Sequence, residues 1–377
     1  MQPLAAATQV AGSACALVLS GGVALGAFEA GTYAALEASG GSGIDWLAGS
    51  SAGAVNAALI AGNPPDERVA RLRQFWESVA GDPTPATSFL LGPPPPQGVW
   101  RRAYNQAAVV QSLLFGRPGL YRPRLAPAPK IGQVPAFYDL EPLLERLRAL
   151  VDFDRLNAGE MRVAIAATDV VSGERVVFDT GRGARIGPEH IVASSALLPI
   201  FAPVEVEGRL LADGGLASNV PLDLVLDEPG SDDVLCFVVE LFARGGSRPR
   251  TLAASASRAS DLAFGNQTQR ILEGRAREHR LRALVGELAE RLPEATRAAP
   301  EVAALLREAG EGARAATVVL LGYHAGLDEA GLGKAFDFSP ATLRDRWRAG
   351  EQAMRKALHR LDAGRTLAPG LRLVEVG

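Results

Sequence analysis

The run Gly49-Ser50-Ser51-Ala52-Gly53 constrains this chain more than any other feature, because of what flanks it. Ile44-Asp45-Trp46-Leu47-Ala48 before it reads as a short apolar strand, and Ala54-Val55-Asn56-Ala57-Ala58-Leu59-Ile60-Ala61 after it reads as a helix of small residues. In that context a Gly-x-Ser-x-Gly run is a sharp strand-to-helix turn. Its central serine has a strained backbone, and its glycines, Gly49 and Gly53, let the helix pass close to the strand. The turn holds the Ser51 hydroxyl up at a helix N-terminus. A Gly- and Ser-rich loop would carry the same five letters, so the flanking elements decide the matter.

A serine nucleophile needs backbone donors for the oxyanion of a tetrahedral intermediate, each typically worth about 10²–10³ in rate. Ala16-Leu17-Val18-Leu19 followed by Ser20-Gly21-Gly22-Val23-Ala24-Leu25-Gly26 is a buried strand entering a glycine turn whose N–H groups can face such a site. Phosphate-loop readings fail on spacing. A dinucleotide fingerprint requires glycine where Val23 stands, and a Walker A loop requires lysine where Ala27 stands. The nucleophile also needs a base. His190, His279, His324 and His359 lack the strand-end, glycine-flanked setting of a triad histidine, and His190 reads as a solvated residue in the first turn of a helix. Arg209-Leu210-Leu211-Ala212-Asp213-Gly214-Gly215 instead ends a short strand on a carboxylate, with Gly214 and Gly215 behind it to permit close approach. A Ser/Asp dyad fits these residues better than a triad, against the alternative that Asp213 caps a favoured Asp-Gly turn.

Strand-like apolar runs at 16–19, ahead of Ser51, at 161–168 and at 234–241 alternate with helical segments at 27–38, after Ser51 and at 66–79. That alternation predicts an α/β fold with a mainly parallel sheet. Leu140, Leu143, Leu144, Leu147 and Leu150 have helical spacing and read as core, with Pro142 tolerated in the first turn. Cys15 and Cys236 lie in apolar runs and read as small core residues, and no metal cluster or cofactor motif is evident.

Four blocks in order resemble the patatin-like phospholipase family. They are Leu19-Ser20-Gly21-Gly22, the turn around Ser51, Ala193-Ser194-Ser195-Ala196 continuing to Pro199, Phe201 and Pro203, and Asp213-Gly214-Gly215 followed by Asn219-Val220-Pro221. The resemblance runs over 14–241. It implies a three-layer α/β/α catalytic domain at 14–244. It also implies a serine acyl hydrolase in which Ser51 attacks an ester carbonyl, Asp213 takes the serine proton, and Gly21, Gly22 and Val23 form the oxyanion loop, without histidine or metal. One departure matters: where the family usually has a third glycine and then a basic residue in that loop, this chain has Val23 and Leu25. A weaker site, or a contribution from the C-terminal region, would follow.

That region, 245–377, reads as a mostly helical extension. It has long Arg- and Glu-rich helices at 253–292, a strand at 317–322, and a last helix with Ser339 as N-cap and Pro340 at the first position. An apolar face of Leu343, Trp347, Met354, Ala357 and Leu358 suits packing on the catalytic domain. The region resembles a domain of unknown function attached to some bacterial patatin-like proteins, chiefly through Phe336-Asp337-Phe338-Ser339 and Arg346-Trp347.

A Pro- and Gly-rich insertion at 82–137 carries six basic residues and one acid, a net +5 in a chain whose total is −3. Phe89, Trp100, Leu113, Leu114 and Phe115 interleave with Arg101, Arg102, Arg117, Arg122, Arg124 and Lys130, a mixture suited to an anionic lipid surface. A long loop packed on the domain, with solvated arginines, is the equal alternative. The overall −3 argues against nucleic acid as partner, and 47% hydrophobic residues can build a full core. Met1-Gln2-Pro3-Leu4-Ala5 lacks the basic start of a signal peptide and no run approaches the ~20 apolar residues of a membrane span, so the cytoplasm, with peripheral membrane contact, is the expected location. The expected activity is hydrolysis of lipid acyl esters of the phospholipase A or lysophospholipase type. A catalytically weak lipid-binding or scaffolding protein and a short-chain or polyester esterase are the alternatives. Head group, acyl length and oligomeric state stay open.

Overall fold

The computed structural model describes residues 14–40, 43–124, 134–228, 233–242, 244–246, 248–249, 252–310, 315–324, 331–362 and 371–376. The first five residues and Lys130, read above, lie outside them. The strands are β1 (Ala14–Leu19), β2 (Trp46–Ser50), β3 (Arg122–Pro123), β4 (Tyr138–Asp139), β5 (Arg162–Asp169), β6 (Arg175–Asp179), β7 (Val204–Val206), β8 (Arg209–Asp213), β9 (Val234–Glu240), β10 (Ala316–Gly322) and β11 (Leu371–Val376). All but β3 and β4 join one sheet in the order β11-β10-β9-β1-β2-β5-β8-β7, with β6 paired to β5. From β11 across to β5 every pairing is parallel. The pairings of β5 with β6, of β5 with β8 and of β7 with β8 are antiparallel.

Burial on both faces explains why β1, β2 and β9 are near-continuous apolar runs rather than alternating ones. Leu17, Leu19 and Leu47 enter one core with helices α1 (Gly26–Ala38), α2 (Ala52–Ala61) and α3 (Arg68–Ser78) and with the final helix Pro340–Asp362. Ala16, Val18 and Ala48 point the other way, into a core with Val220, Leu222, Val225 and Leu272. The molecule is therefore a three-layer α/β/α arrangement.

The C-terminal region adds more than helices. It supplies β10 and β11 to the same sheet, and its long helix runs unbroken from Leu252 to Glu290. Its final helix opens on Ser339, whose Oγ accepts the Thr342 N–H at 3.3 Å, and lays its apolar face along α1. There the two backbones touch at a reciprocal pair of glycines. A Cβ on Gly31 would collide with the carbonyl of Trp347, and one on Gly350 with the carbonyl of Phe28. Arg346, 1% exposed, donates to the carbonyls of Ala24 at 3.1 Å, Asp337 at 3.2 Å and Lys334 at 2.8 Å.

The insertion holds two helices, Pro85–Leu91 and Val99–Phe115. The expectation that its arginines face outward is corrected for Arg101 and Arg117, whereas Arg102 and Arg122 are exposed. Arg101 is buried, donating to Asn105 and across the contact to Asp345 of the final helix, and Arg117 is buried, donating to Ser112 and Gln111 of the insertion's own second helix. Arg122 pairs with Asp139 at 3.0 Å. Among the described residues no helix is long and apolar enough to cross a membrane.

The glycine contact generates a stability prediction. Gly31→Ala or Gly350→Ala should each lower stability by about 1–3 kcal/mol through overpacking, read as an earlier urea midpoint of the full chain. Gly274→Ala, in the long helix with open space around its Cα, serves as the control and should not shift the midpoint downward.

Candidate active site

Ser51 has φ 54° and ψ −119°, a left-handed conformation rare outside glycine, so the turn after β2 is strained as expected. Close approach fixes its neighbours: a Cβ on Gly53 would collide with the carbonyl of Leu19, and the Gly53 N–H donates to the Ser20 carbonyl at 3.0 Å. The register of β5 accounts for the meeting of serine and carboxylate. In β5, Ala166 pairs with Ser50 of β2, and the next residue, Ala167, pairs with Asp213 of β8. Since β6 occupies the other edge of β5 at Ala167, β8 takes over the edge that β2 vacates. Asp213 thus stands in line where β2 would have continued.

The Asp213 carboxylate is buried and accepts the Ser51 hydroxyl and, at 2.7 Å, the Gly215 N–H. Burial pushes its pKa up to about 6, while these two hydrogen bonds hold it down. A single segment supports both residues. The Ser194 Oγ accepts the Ser51 N–H at 2.9 Å and donates to the Ala166 carbonyl at 2.6 Å, while the Ala196 carbonyl accepts the Asp213 N–H at 3.0 Å. This explains why Ser194 to Ala196 forms a motif: the segment holds the backbones of Ser51 and Asp213.

The glycine loop lies against the serine, with the Cβ position of Gly21 3.1 Å from the Ser51 Cβ. Its donors are not equivalent. The Gly21 N–H is given to the Asn219 carbonyl at 3.1 Å. Gly22 and Val23, where a 3₁₀ turn begins, have N–H groups with no backbone acceptor among the described residues. Val23 has φ 52°, so a β-branched side chain occupies a conformation suited to glycine. Asn219 is held from the C-terminal side, its N–H donating to the Gln267 Oε1 at 2.7 Å.

His190 corrects an expectation: it is buried, accepts the Gly187 N–H on Nδ1 at 2.9 Å and packs edge-on against Phe178 at 4.4 Å. A proline-led first turn facing β6 puts this position inside. None of the four histidines lines the cavities at Ser51. Two cavities meet at Ser51 and Val23. The larger, about 470 Å³, also has Asp213, Gly21, Gly22, Leu113, Ile200, Phe242, Phe264 and Lys334 in its wall. The smaller, about 50 Å³, is apolar, with Val55, Phe75, Leu143 and Phe338.

Glu29 was not anticipated from the sequence. From α1 its Oε1 accepts the Ser20 N–H at 2.7 Å and its Oε2 accepts the Asn56 Nδ2 at 2.9 Å, tying the glycine loop to α2. Trp76 Nε1 fixes the Asn56 amide by donating to its Oδ1 at 3.0 Å. An acid amid apolar helix residues is the only local signal it offered. Burial raises the Glu29 carboxyl from 4.5 to about 8. The unfolded chain ionises at the lower value and the folded chain at the higher, so the folded state holds the extra proton between them. The contribution of Glu29 to stability is full below about pH 4.5 and is lost as pH rises to about 8. Urea unfolding of the unmodified chain should show that decline, and Glu29→Gln should flatten it between pH 6 and 8. Parallel declines would mean that Glu29 does not titrate there.

The family model described as Patatin-like phospholipase matches residues 17–226, over half of the chain, and one described as Patatin phospholipase matches residues 262–369. Among solved structures, VipD from Legionella pneumophila is similar at 15% identity and a TM-score of 0.39, covering 93% of this chain and 67% of that one. The type III effector protein ExoU is similar at 16% identity and a TM-score of 0.34, covering 93% of this chain, which spans about half (54%) of ExoU. On the extent of the first match, joined to the parallel sheet and the serine turn, this chain belongs to the patatin-like phospholipase family.

Proposed function

We propose that the chain is a serine hydrolase of lipid acyl esters, of the phospholipase A or lysophospholipase type, working through a Ser51–Asp213 dyad. The observation that carries this is the buried Asp213 carboxylate accepting the hydroxyl of a serine strained at a helix N-terminus, both in the wall of a mostly apolar cavity. Ser51 Oγ attacks the ester carbonyl as its proton passes to Asp213. The oxyanion is met by the N–H groups of Gly22 and Val23, with Gly21 spacing the loop and Gly49, Gly53, Gly214 and Gly215 permitting the close approaches. Collapse breaks the ester C–O bond, and Asp213 returns the proton to the departing alcohol. Water then attacks the acyl-serine with Asp213 again as base, releasing the fatty acid.

Ser51→Ala should abolish both turnover and labelling by a fluorophosphonate probe. Ser50→Ala should retain them, and Asp213→Asn should lose about 10⁴ in rate. Catalysis uses the ionised Asp213, so activity should be lost as pH falls through about 6. The absence of probe labelling in the folded chain would favour the lipid-binding alternative.

Contact with a membrane belongs to the same reading. Leu113 lines the larger cavity and is 40% exposed, and Leu114, Phe115, Phe89 and Leu90 are exposed in the same insertion. With Arg101 and Arg117 buried and Arg122 paired to Asp139, attraction to a bilayer would be chiefly apolar rather than charge-driven. Flotation with phosphatidylcholine vesicles should show binding that Leu114→Glu with Phe115→Glu abolishes and that salt barely changes. Binding that collapses with salt and ignores these substitutions would restore the electrostatic alternative.

A further inference from the structure

Lys334 is a buried cation in the wall of the larger cavity, contributed by the Gly331–Phe336 turn of the C-terminal region. Its ammonium lies 2.6 Å from Asp261 Oδ1, with side-chain exposures of 8% and 15%. That carboxylate engages one of the three N–H donors of a lysine, and no other acceptor is in hydrogen-bond reach of the ammonium among the described residues. Phe242 lies beside it, the ammonium 5.6 Å from the ring centre. The turn is fixed relative to the glycine loop, because Arg346 bonds both the Lys334 and the Ala24 carbonyls. Paired with Asp261 but with donors to spare, this desolvated ammonium can take a further negative group from a ligand in a cavity whose wall also holds many apolar side chains. The smaller cavity has no charged residue in its wall, so an anionic group on a substrate would be accommodated in the larger one.

We propose that Lys334 is a specificity-determining residue. It binds an anionic group, phosphate or carboxylate, carried by the substrate beside the scissile ester, and Asp261 is the competing counter-ion that moderates this binding. The inference rests on the hydrolase reading and deepens it, since it locates in the C-terminal region a positive charge that Leu25 does not supply to the glycine loop.

Two readouts separate its failure from that of the hydrolase reading. The first is the ratio of kcat/KM for lysophosphatidylglycerol to that for a monoacylglycerol of the same chain, with a succinylated monoacylglycerol to distinguish carboxylate from phosphate. The second is the Kd ratio of the non-hydrolysable ether lipids alkyl glycerophosphate and alkyl glycerol, measured by calorimetry on the full chain and independent of turnover. Lys334→Met should lower both ratios on the order of 10- to 100-fold, Lys334→Arg should largely restore them, and Asp261→Asn should raise them. The opposite signs of the two partners distinguish recognition from a structural ion pair, whose loss from either side would weaken every ligand alike. Ratios unchanged in Lys334→Met, or lowered equally in Asp261→Asn, would overturn the proposal. Absent turnover with a Kd ratio still dependent on Lys334 would instead reject only the hydrolase reading.

Discussion

One strand edge organises the site. β2 runs parallel to β5 as far as Ser50, and at Ser51 the positive φ turns the chain away into α2. The vacated hydrogen-bonding positions of β5 are filled by β8 from the opposite direction, ending at Asp213 opposite Ala167. Without the turn there is no room for β8, and without β8 the end of β5 would expose unpaired peptide groups. Ser51 and the Asp213 carboxylate are neighbours because one edge satisfies its hydrogen bonds with two strands in succession. The strain at Ser51 is then held by bonds on all sides, from the Ser194 hydroxyl to the Ser20 carbonyl that receives Gly53.

Two acids lie buried beneath this junction, and they pull stability and chemistry in different directions. In the proposed chemistry Asp213 ionises to act as base, yet burial favours its neutral form and raises it to about 6. Its two hydrogen bonds, from Ser51 and Gly215, return part of that cost. Glu29 has no reacting group to serve. It accepts bonds from the glycine loop and from α2, so its raised carboxyl is a by-product of using a carboxylate as a strut in an apolar interior. The folded state is therefore at its most proton-hungry where the proposed chemistry wants a free base.

Residues whose signal is local were legible in the sequence. The serine turn, the glycine loop and the strand ending in Asp-Gly-Gly each combine a short element with the residues that end it, and the parallel sheet followed from their alternation. Residues whose place depends on distant partners were not. Glu29 looks like any helical acid until Ser20 and Asn56 close on it. His190 sits in a first turn that would be solvated but for Phe178, and Arg101 reads as a surface charge but for Asp345, 244 residues away. The Gly21 N–H resembled a free donor because its acceptor, the Asn219 carbonyl, is 198 residues away in the chain.

The same dependence on distant partners makes the C-terminal region part of the site's framework. Residue 244 marks a change of composition, but the sheet continues past it through β10 and β11, and hydrogen bonds cross back to the groups that support Ser51 and the glycine loop. Gln267 holds Asn219, whose carbonyl holds Gly21, and Arg346 joins Ala24 to the turn carrying Lys334. The glycine loop, where Val23 occupies a glycine-like conformation, is thereby clamped by Glu29 from α1 below and by Arg346 and Gln267 from the C-terminal side. A strained loop persists only when its surroundings over-determine it. In this chain part of that determination comes from outside the first 244 residues.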